Sequence, residues 1–208
     1  MTSTYLCFDL GTTVIKSSLL DDEGNIIYLS KKEAKTYCDG SSVIQKPEEY
    51  FDTVVNEIKE ISKRYPSYLK KAGSLICSGQ MAGILGIDRD WKVVFPWIYS
   101  VDTRANSCLS EIENRIGSEV RKSSGGAPLV AAKIKWIKEN FPEDYKRIHK
   151  FINLTTYVAG RICDLKGDDA FIDHSVLSMN GLADTKEGKW NSKICSKMDI
   201  DINKVPNI

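Results

Sequence analysis

The sequence lacks several features that would assign it to a specific class of protein. Its 29 basic and 28 acidic residues give a formal net charge of +1, which argues against a protein that binds nucleic acid through a broad basic surface. No apolar run approaches the roughly 18 residues of a transmembrane helix. The first residues, Met1 to Thr4, carry no basic side chain, unlike a secretory signal peptide. These absences predict a cytoplasmic protein with neither nucleic acid nor membrane as a partner.

Metal-ligating residues and the common nucleotide-binding motifs are also scarce. The six cysteines are scattered without any CxxC pair, and the only histidines are His149 and His174. This pattern favours reduced thiols and argues against a zinc site. The chain has no GxxxxGK[ST] P-loop, and no GxGxxG motif follows a predicted strand. A nucleotide site in this protein would therefore need a different kind of phosphate-binding turn.

The sequence does contain the composition and patterning of an ordinary globular protein, with 42% hydrophobic and 27% charged residues. Alternating apolar residues predict strands over 4–10, 14–20 and 25–34. The turn Asp21-Asp22-Glu23-Gly24-Asn25 joins the last two strands as a hairpin, because glycine readily adopts positive φ. The domain is therefore predicted to open with three antiparallel strands.

The rest of the chain alternates between strands and helices. Pro47 and the acidic residues after it predict the start of a helix that continues to about Tyr65. The further predicted elements are a strand over 73–77, a hairpin of 84–88 and 92–95, helices over 103–117, 129–140, 143–148 and 154–163, a Ser/Gly loop over 123–126, and a loop-rich tail from 164. This order predicts an α/β fold without internal repeats or an interdomain linker.

The most informative stretch is the turn between the first two predicted strands. Asp9 stands at the end of the first strand, Gly11, Thr12 and Thr13 form the turn, and Lys16 lies in the returning strand. Backbone N–H groups in a tight turn form a concave anion site, and a nearby carboxylate can hold the Mg²⁺ that accompanies a nucleotide. An ordinary hairpin with a polar turn would have the same pattern, so both interpretations stay open at this point.

Together with later segments, this turn resembles the first phosphate motif of the FGGY carbohydrate kinases, a family of the actin-like ATPase superfamily. The later segments follow in the family's order across about the whole chain. They are Ser78-Gly79-Gln80-Met81-Ala82-Gly83, Asp102-Thr103-Arg104-Ala105, Lys133-Ile134-Lys135-Trp136 with Pro142, and Asp173-x-Ser175 with Gly181-Leu182, Asp184 and Trp190. The resemblance implies an actin-like ATPase (ribonuclease-H-like) α/β domain with a mixed sheet and flanking helices.

The resemblance also implies a site for ATP, Mg²⁺ and a sugar or polyol. Asp9 would be catalytic, holding Mg²⁺ directly or through water and steering the β- and γ-phosphates. The nucleotide phosphates would contact Gly11, Thr12, Thr13 and Lys16, and the sugar would contact Gln80, Met81, Asp102 and Arg104. Because the ends of neighbouring strands converge in open α/β sheets, Gln80 and Asp102 are expected to share one sugar site. Alternatively, Lys16 is a solvated strand residue, and Asp102 simply pairs with Arg104.

By this resemblance, the enzyme would transfer the γ-phosphate of ATP to a hydroxyl of a ketopentose similar to xylulose. Two departures bear on the substrate. The family's xylulokinases carry His where this chain has Ala82, and the missing imidazole calls D-xylulose into question as the substrate. The glycerol kinases carry an Arg-Glu pair where this chain has Met81 and Ala82, which argues against glycerol as the substrate. Gluconate or another polyol is the alternative substrate. A non-catalytic actin-like ATPase fragment is the alternative of a different class.

A third departure concerns the length of the chain. The family's general base is an Asp in a Gly-rich segment at the start of a second domain, and no such segment follows Trp190 before Ile208. Residues 1–208 are therefore expected to form the N-terminal domain without the C-terminal one, and to be inactive alone. The expected partners are ATP and a small sugar or polyol, and a homodimer is compatible with these expectations.

Overall fold

The computed structural model describes residues 3–208, which divide into two compact units. The first unit comprises residues up to 36 together with 46–80, and the second comprises 37–45 and 81–208. Within residues 3–208, no helix is both long enough and apolar enough to cross a membrane. Each unit has its own sheet, so the position of each candidate residue follows from the unit in which it lies.

The strands are β1 (Thr4–Leu10), β2 (Val14–Asp21), β3 (Ile26–Glu33), β4 (Tyr37–Asp39), β5 (Ser42–Gln45), β6 (Ala72–Gly79), β7 (Ile84–Ile87), β8 (Val93–Ile98), β9 (Lys150–Ile152), β10 (Ala183–Asp184) and β11 (Lys189–Trp190). The helices are α1 (Pro47–Arg64), α2 (Pro66–Leu69), α3 (Asn106–Ser124), α4 (Leu129–Asn140), α5 (Pro142–Arg147), α6 (Leu154–Ile162) and α7 (Ser192–Lys197). Short 3₁₀ turns cover Gly167–Asp169, His174–Met179 and Ile202–Lys204.

Most of the predicted elements are present, but the short elements β4, β5, α2, β9 and α7 were not predicted, and the bounds of one helix need correction. The strands β4 and β5 lie in a stretch without a predicted element, because strands of three and four residues are too short to show a clear periodicity. Helix α3 does not end at Gly117 but continues to Ser124, so Ser123 and Ser124 are helical rather than part of a loop. Gly125, with φ of 81°, ends this helix in the left-handed conformation.

The first unit is a mixed sheet of four strands in the order β3-β2-β1-β6, and helix α1 packs against β2 and β3. The three opening strands are antiparallel, as predicted, and β6 runs parallel to β1. Alternate residues of β1 are buried, including Leu6, Phe8 and Leu10. Parallel pairing places the carboxyl ends of β1 and β6 side by side, with Leu10 opposite Gly79.

The second unit is built on an antiparallel sheet in the order β4-β5-β8-β7-β9, with α3 and α4 packed against each other. Its core joins apolar residues of the sheet and of these helices, including Ile84, Phe95, Ile112, Ile134 and Phe151. Because β6 and β8 belong to different sheets, Gln80 and Asp102 do not follow neighbouring strands of one sheet, contrary to the premise of the sequence analysis.

Candidate functional site

The turn between β1 and β2 carries an exposed pair of opposite charges. The antiparallel register places Asp9 directly opposite Lys16. The Lys16 Nζ donates to the Asp9 Oδ2 at 2.9 Å, and the side chains are 44% (Asp9) and 51% (Lys16) exposed. Because both groups remain largely in water, this contact is weak and each partner can exchange it for another charged group.

The turn itself depends on the absence of a side chain at Gly11. A Cβ built at this position would lie 2.6 Å from the carbonyl oxygen of Val14, closer than real Cβ contacts. Thr12 and Thr13 are exposed, and the Thr13 carbonyl accepts a hydrogen bond from the N–H of Ala34 at 2.9 Å. The backbone at this turn is therefore compact and anchored, while its two threonine side chains remain accessible.

A tyrosine that the sequence analysis did not single out connects this turn with Gln80. Tyr50 lies in the first turn of α1, and its hydroxyl donates to the Gly11 carbonyl at 3.0 Å. The Gln80 Nε2 donates to the Tyr50 hydroxyl at 3.1 Å, and the Gln80 N–H donates to the Leu10 carbonyl at 3.2 Å. Tyr50 occupies the buried helical face, where a core residue has the same pattern, so periodicity alone could not identify it.

The first unit thus brings together Asp9, Lys16, the turn at Gly11 and Gln80 at the carboxyl ends of β1 and β6. This edge is where open α/β sheets commonly bind ligands. Within residues 3–208 no group of three His, Cys, Asp or Glu side chains could hold a metal ion. Mg²⁺ does not require such a group, since it keeps several waters and is held by one or two carboxylates and substrate phosphates. The exposed Asp9 carboxylate fits that requirement.

The loop after β6 has a constrained backbone in the second unit. Met81 is exposed, whereas Ala82 is buried with φ of 60°, a conformation that is uncommon for residues other than glycine. Gly83 lies against the buried ring of Trp97, and a Cβ built there would be 2.2 Å from Trp97 Cζ2. Trp97 therefore allows only glycine at this position without rearrangement.

Asp102 and Arg104 form a buried pair in the second unit. Their side chains are 2% (Asp102) and 17% (Arg104) exposed. The Arg104 Nη2 donates to Asp102 Oδ2 at 2.7 Å, and Nε lies 3.0 Å from both carboxylate oxygens. The Val43 N–H also donates to Oδ2, at 2.9 Å, and the Arg104 N–H to Oδ1, at 3.1 Å. The pairing that the sequence left as an alternative is present, but the pair is buried and not near the surface as that alternative had it.

Hydrogen bonding sets the ionisation of Asp102, and an aromatic contact holds the Arg104 side chain. Burial raises the pKa of Asp102, but the hydrogen bonds from Arg104 and from the backbone of Val43 outweigh burial, so the pKa lies below its ordinary value. The Arg104 guanidinium stacks over the Trp136 ring at 4.6 Å from its centroid. Asp102 is therefore an ionised anchor whose two oxygens are already engaged, and Arg104 is the more accessible member of the pair.

Comparisons with known sequences agree on one family. The model of the "FGGY family of carbohydrate kinases, N-terminal domain" matches residues 4–208. A gluconokinase of Bacillus subtilis (strain 168) is 28% identical over 200 residues, covering 93% of this chain and 37% of that protein. A xylulose kinase of Lactococcus lactis subsp. lactis (strain IL1403) is 27% identical over 215 residues, covering 99% and 41%. The chain thus spans about two fifths of the length of these relatives.

A comparison with solved structures shows the same fold. A gluconate kinase from Lactobacillus acidophilus superposes with a TM-score of 0.88 at 21% identity, covering 100% of this chain and 42% of that one. The predicted α/β fold of the actin-like ATPase type, with a mixed sheet and flanking helices, is confirmed. At this level of identity the likeness establishes the fold alone, so the roles of the individual site residues stay predictions.

Proposed function

This chain belongs to the FGGY family of carbohydrate kinases, and on that basis we propose that the protein, at its full natural length, transfers the γ-phosphate of ATP to a hydroxyl of a sugar or polyol. The proposed substrate is a ketopentose similar to xylulose. The observation that carries the proposal is the convergence of Asp9, the Gly11 turn and Gln80 at the carboxyl ends of β1 and β6.

In this proposal, the β1–β2 turn handles the phosphates of ATP. Asp9 would hold Mg²⁺, directly or through water, and the ion would neutralise charge on the β- and γ-phosphates. The weak contact between Asp9 and Lys16 would break when ATP arrives, which frees the ammonium for a phosphate oxygen. The absence of a side chain at Gly11 lets the turn close tightly against the Val14 carbonyl, and the exposed Thr12 and Thr13 would donate hydrogen bonds from their hydroxyls to the phosphates.

The same proposal assigns the sugar to Gln80, Met81, Asp102 and Arg104. The Gln80 amide can both donate to and accept from hydroxyl groups, and Tyr50 orients it. Asp102 would act mainly by orienting Arg104, since its oxygens are occupied by Arg104 and Val43. Arg104 and Met81 would then present the more exposed groups to the ligand.

Gluconate is the second candidate substrate, and two observations are compatible with it. Ala82 offers no imidazole where xylulokinases of the family carry His, so one hydrogen bond to xylulose is missing. The relatives of this chain include gluconokinases as well as xylulose kinases. If no sugar binds at all, the protein is instead a non-catalytic module with an actin-like fold.

An ADP-release assay tests the proposal. The full-length protein is incubated with ATP, Mg²⁺ and either D-xylulose, D-gluconate or glycerol. Release above a no-sugar blank is expected with D-xylulose or D-gluconate and not with glycerol. The 208-residue chain alone is expected to remain at the blank, because the family's general base belongs to a second domain. No release with any sugar by the full-length protein would contradict the proposed activity.

A further inference from the structure

Lys133 of α4 is a largely buried lysine whose ammonium has no ion-pair partner among residues 3–208. The residue is 5% exposed. Among residues 3–208, its ammonium makes neither a hydrogen bond nor an ion pair. Within the described part of the chain, the charge of Asp102 acts on Lys133 without forming an ion pair with it. The ammonium nitrogen itself keeps some contact with solvent, since it is not one of the described buried side-chain atoms that lack a hydrogen-bond partner, so a ligand can reach it.

The other lysines of the same helix behave differently. Lys135 pairs with Glu139 at 2.6 Å and with Glu111 at 3.4 Å. Lys138 pairs with Asp199 at 2.8 Å. Lys133 makes no ion pair with these acidic residues. Lys133 is therefore the one lysine of α4, within the described chain, whose charge has no carboxylate beside it.

Asp102 does not neutralise Lys133, because Arg104 already donates to both of its oxygens. Two cations and one carboxylate leave this cluster with a net positive charge. Burial lowers the pKa of Lys133, and the charge of Asp102 opposes that shift only in part. The cluster thus retains hydrogen-bond donors that the folded chain does not use.

Arg104 contacts the face of helix α4 that carries Lys133. Its guanidinium stacks on Trp136, which lies three residues after Lys133, and residues at this spacing are neighbours on a helix surface. Lys133 is therefore next to the more accessible cation of the pair. Both cations can donate hydrogen bonds to an oxygen-rich ligand, and the sugar of the proposed reaction is such a ligand.

We propose that Lys133 is a substrate-binding residue whose ammonium donates a hydrogen bond to an oxygen of the sugar. This assignment rests on the proposed kinase function. The acceptor is an oxygen that belongs either to a hydroxyl group or to a carboxylate. A ketopentose offers only hydroxyl and carbonyl oxygens, whereas an aldonate also offers a carboxylate, so the two sources can be separated by experiment.

The test compares Lys133→Met with wild type in the full-length protein. Calorimetric titrations with D-xylulose and D-gluconate, without ATP, measure sugar affinity, and thermal unfolding measures stability. Sugar affinity is expected to fall at least about tenfold, the effect of losing one hydrogen bond to a charged group. The melting temperature is expected to stay equal or rise, because methionine replaces a buried charge with an apolar chain. ATP affinity should not change.

Lys135→Met serves as the matched control. It removes a lysine of the same helix that is paired with carboxylates, and its sugar affinity should stay within about twofold of wild type. A loss in Lys133→Met that is larger for D-gluconate identifies the acceptor as a carboxylate, and equal losses identify a hydroxyl. Either result supports the assignment.

Other outcomes would overturn it. Wild-type sugar affinity in Lys133→Met would show that the lysine does not touch the ligand, while the proposed function would stand. A drop in melting temperature in both Lys133→Met and Lys133→Gln, together with weaker sugar binding, would assign the lysine to the fold. Absence of sugar binding by the wild type would instead remove the proposed function and this assignment together.

Discussion

The two units use a carboxylate and a cation in opposite ways. Asp9 and Lys16 share a single contact at the surface, and both side chains are about half exposed. Asp102 and Arg104 share several hydrogen bonds away from water, and the backbone of Val43 supports the same carboxylate. An exposed pair contributes little to stability, whereas removing one partner of a buried pair leaves an uncompensated charge.

The difference indicates which group can change partners during a reaction. Asp9 loses little by exchanging Lys16 for a metal ion, because water already solvates both groups. Asp102 cannot make a similar exchange without disrupting Arg104 and the start of β5. A carboxylate that matches a family motif can therefore act on the substrate itself or orient the residue that does. Burial and hydrogen-bond occupancy distinguish these roles; two substitutions test the distinction, and a third tests the turn that follows Asp9.

The largest effect on stability is expected from Asp102→Ala. The substitution leaves the Arg104 guanidinium buried without its partner. It also removes the negative charge that acts on Lys133. The free energy of unfolding should fall by about 3–5 kcal/mol, measured by urea denaturation of the full-length protein. Sugar affinity should fall by about 1–3 kcal/mol in calorimetric titrations, because Arg104 loses its anchor. Nucleotide affinity should be unaffected.

The distinction between the buried Asp102–Arg104 pair and the exposed Asp9–Lys16 pair would fail if Asp102→Ala were as stable as wild type. In that case the buried pair would contribute no more than the exposed one. Equal sugar affinities of variant and wild type would remove Asp102 from any part in sugar binding and would weaken the proposed ketopentose site.

The largest effect on catalysis is expected from Asp9→Ala. Loss of the carboxylate that holds Mg²⁺ removes stabilisation of the transition state, so kcat should fall by at least about 10²-fold. Stability and sugar affinity should change little, because Asp9 is largely in water. Steady-state kinetics with saturating sugar, together with urea denaturation, measure these quantities. A variant with near-normal kcat would show that the hairpin is only structural.

A smaller effect is expected from Gly11→Ala. The added methyl group would collide with the Val14 carbonyl, so the turn must shift. The free energy of unfolding should fall by about 1–3 kcal/mol, and the KM for ATP should rise because the phosphate-binding turn moves. Gly73→Ala is the matched control in the same unit, since a Cβ there meets nothing within 4 Å. If both variants behave alike, the compact turn does not depend on Gly11.

Local patterns in the sequence were sufficient for much of the fold. The hairpins around Gly11 and Gly24 follow from turn residues between alternating apolar stretches, and their antiparallel register places Asp9 opposite Lys16. Helix α1 was predictable from Pro47 and the apolar spacing that follows it. Elements with a few residues, such as β4 and β5, carry too little periodic information to be recognised.

The candidate site was predictable only in part. The family motifs named Asp9, Gly11 and Gln80, and the structure places these three residues at one edge of the first sheet. Tyr50 has the same apolar-face position as any core residue, so its role in connecting them could not be inferred. The motifs also named Asp102, but spacing does not reveal whether a carboxylate is already engaged.

The sequence by itself determined the local structure and the family, because turn chemistry, apolar periodicity and ordered motifs act over a few residues each. Tertiary structure decided which charges remain in water and which are buried. It exposed Asp9, engaged Asp102 with Arg104 and Val43, and left Lys133 buried without a carboxylate. Such outcomes depend on contacts between residues far apart in the chain, such as Val43 with Asp102, and only the folded protein brings these residues together.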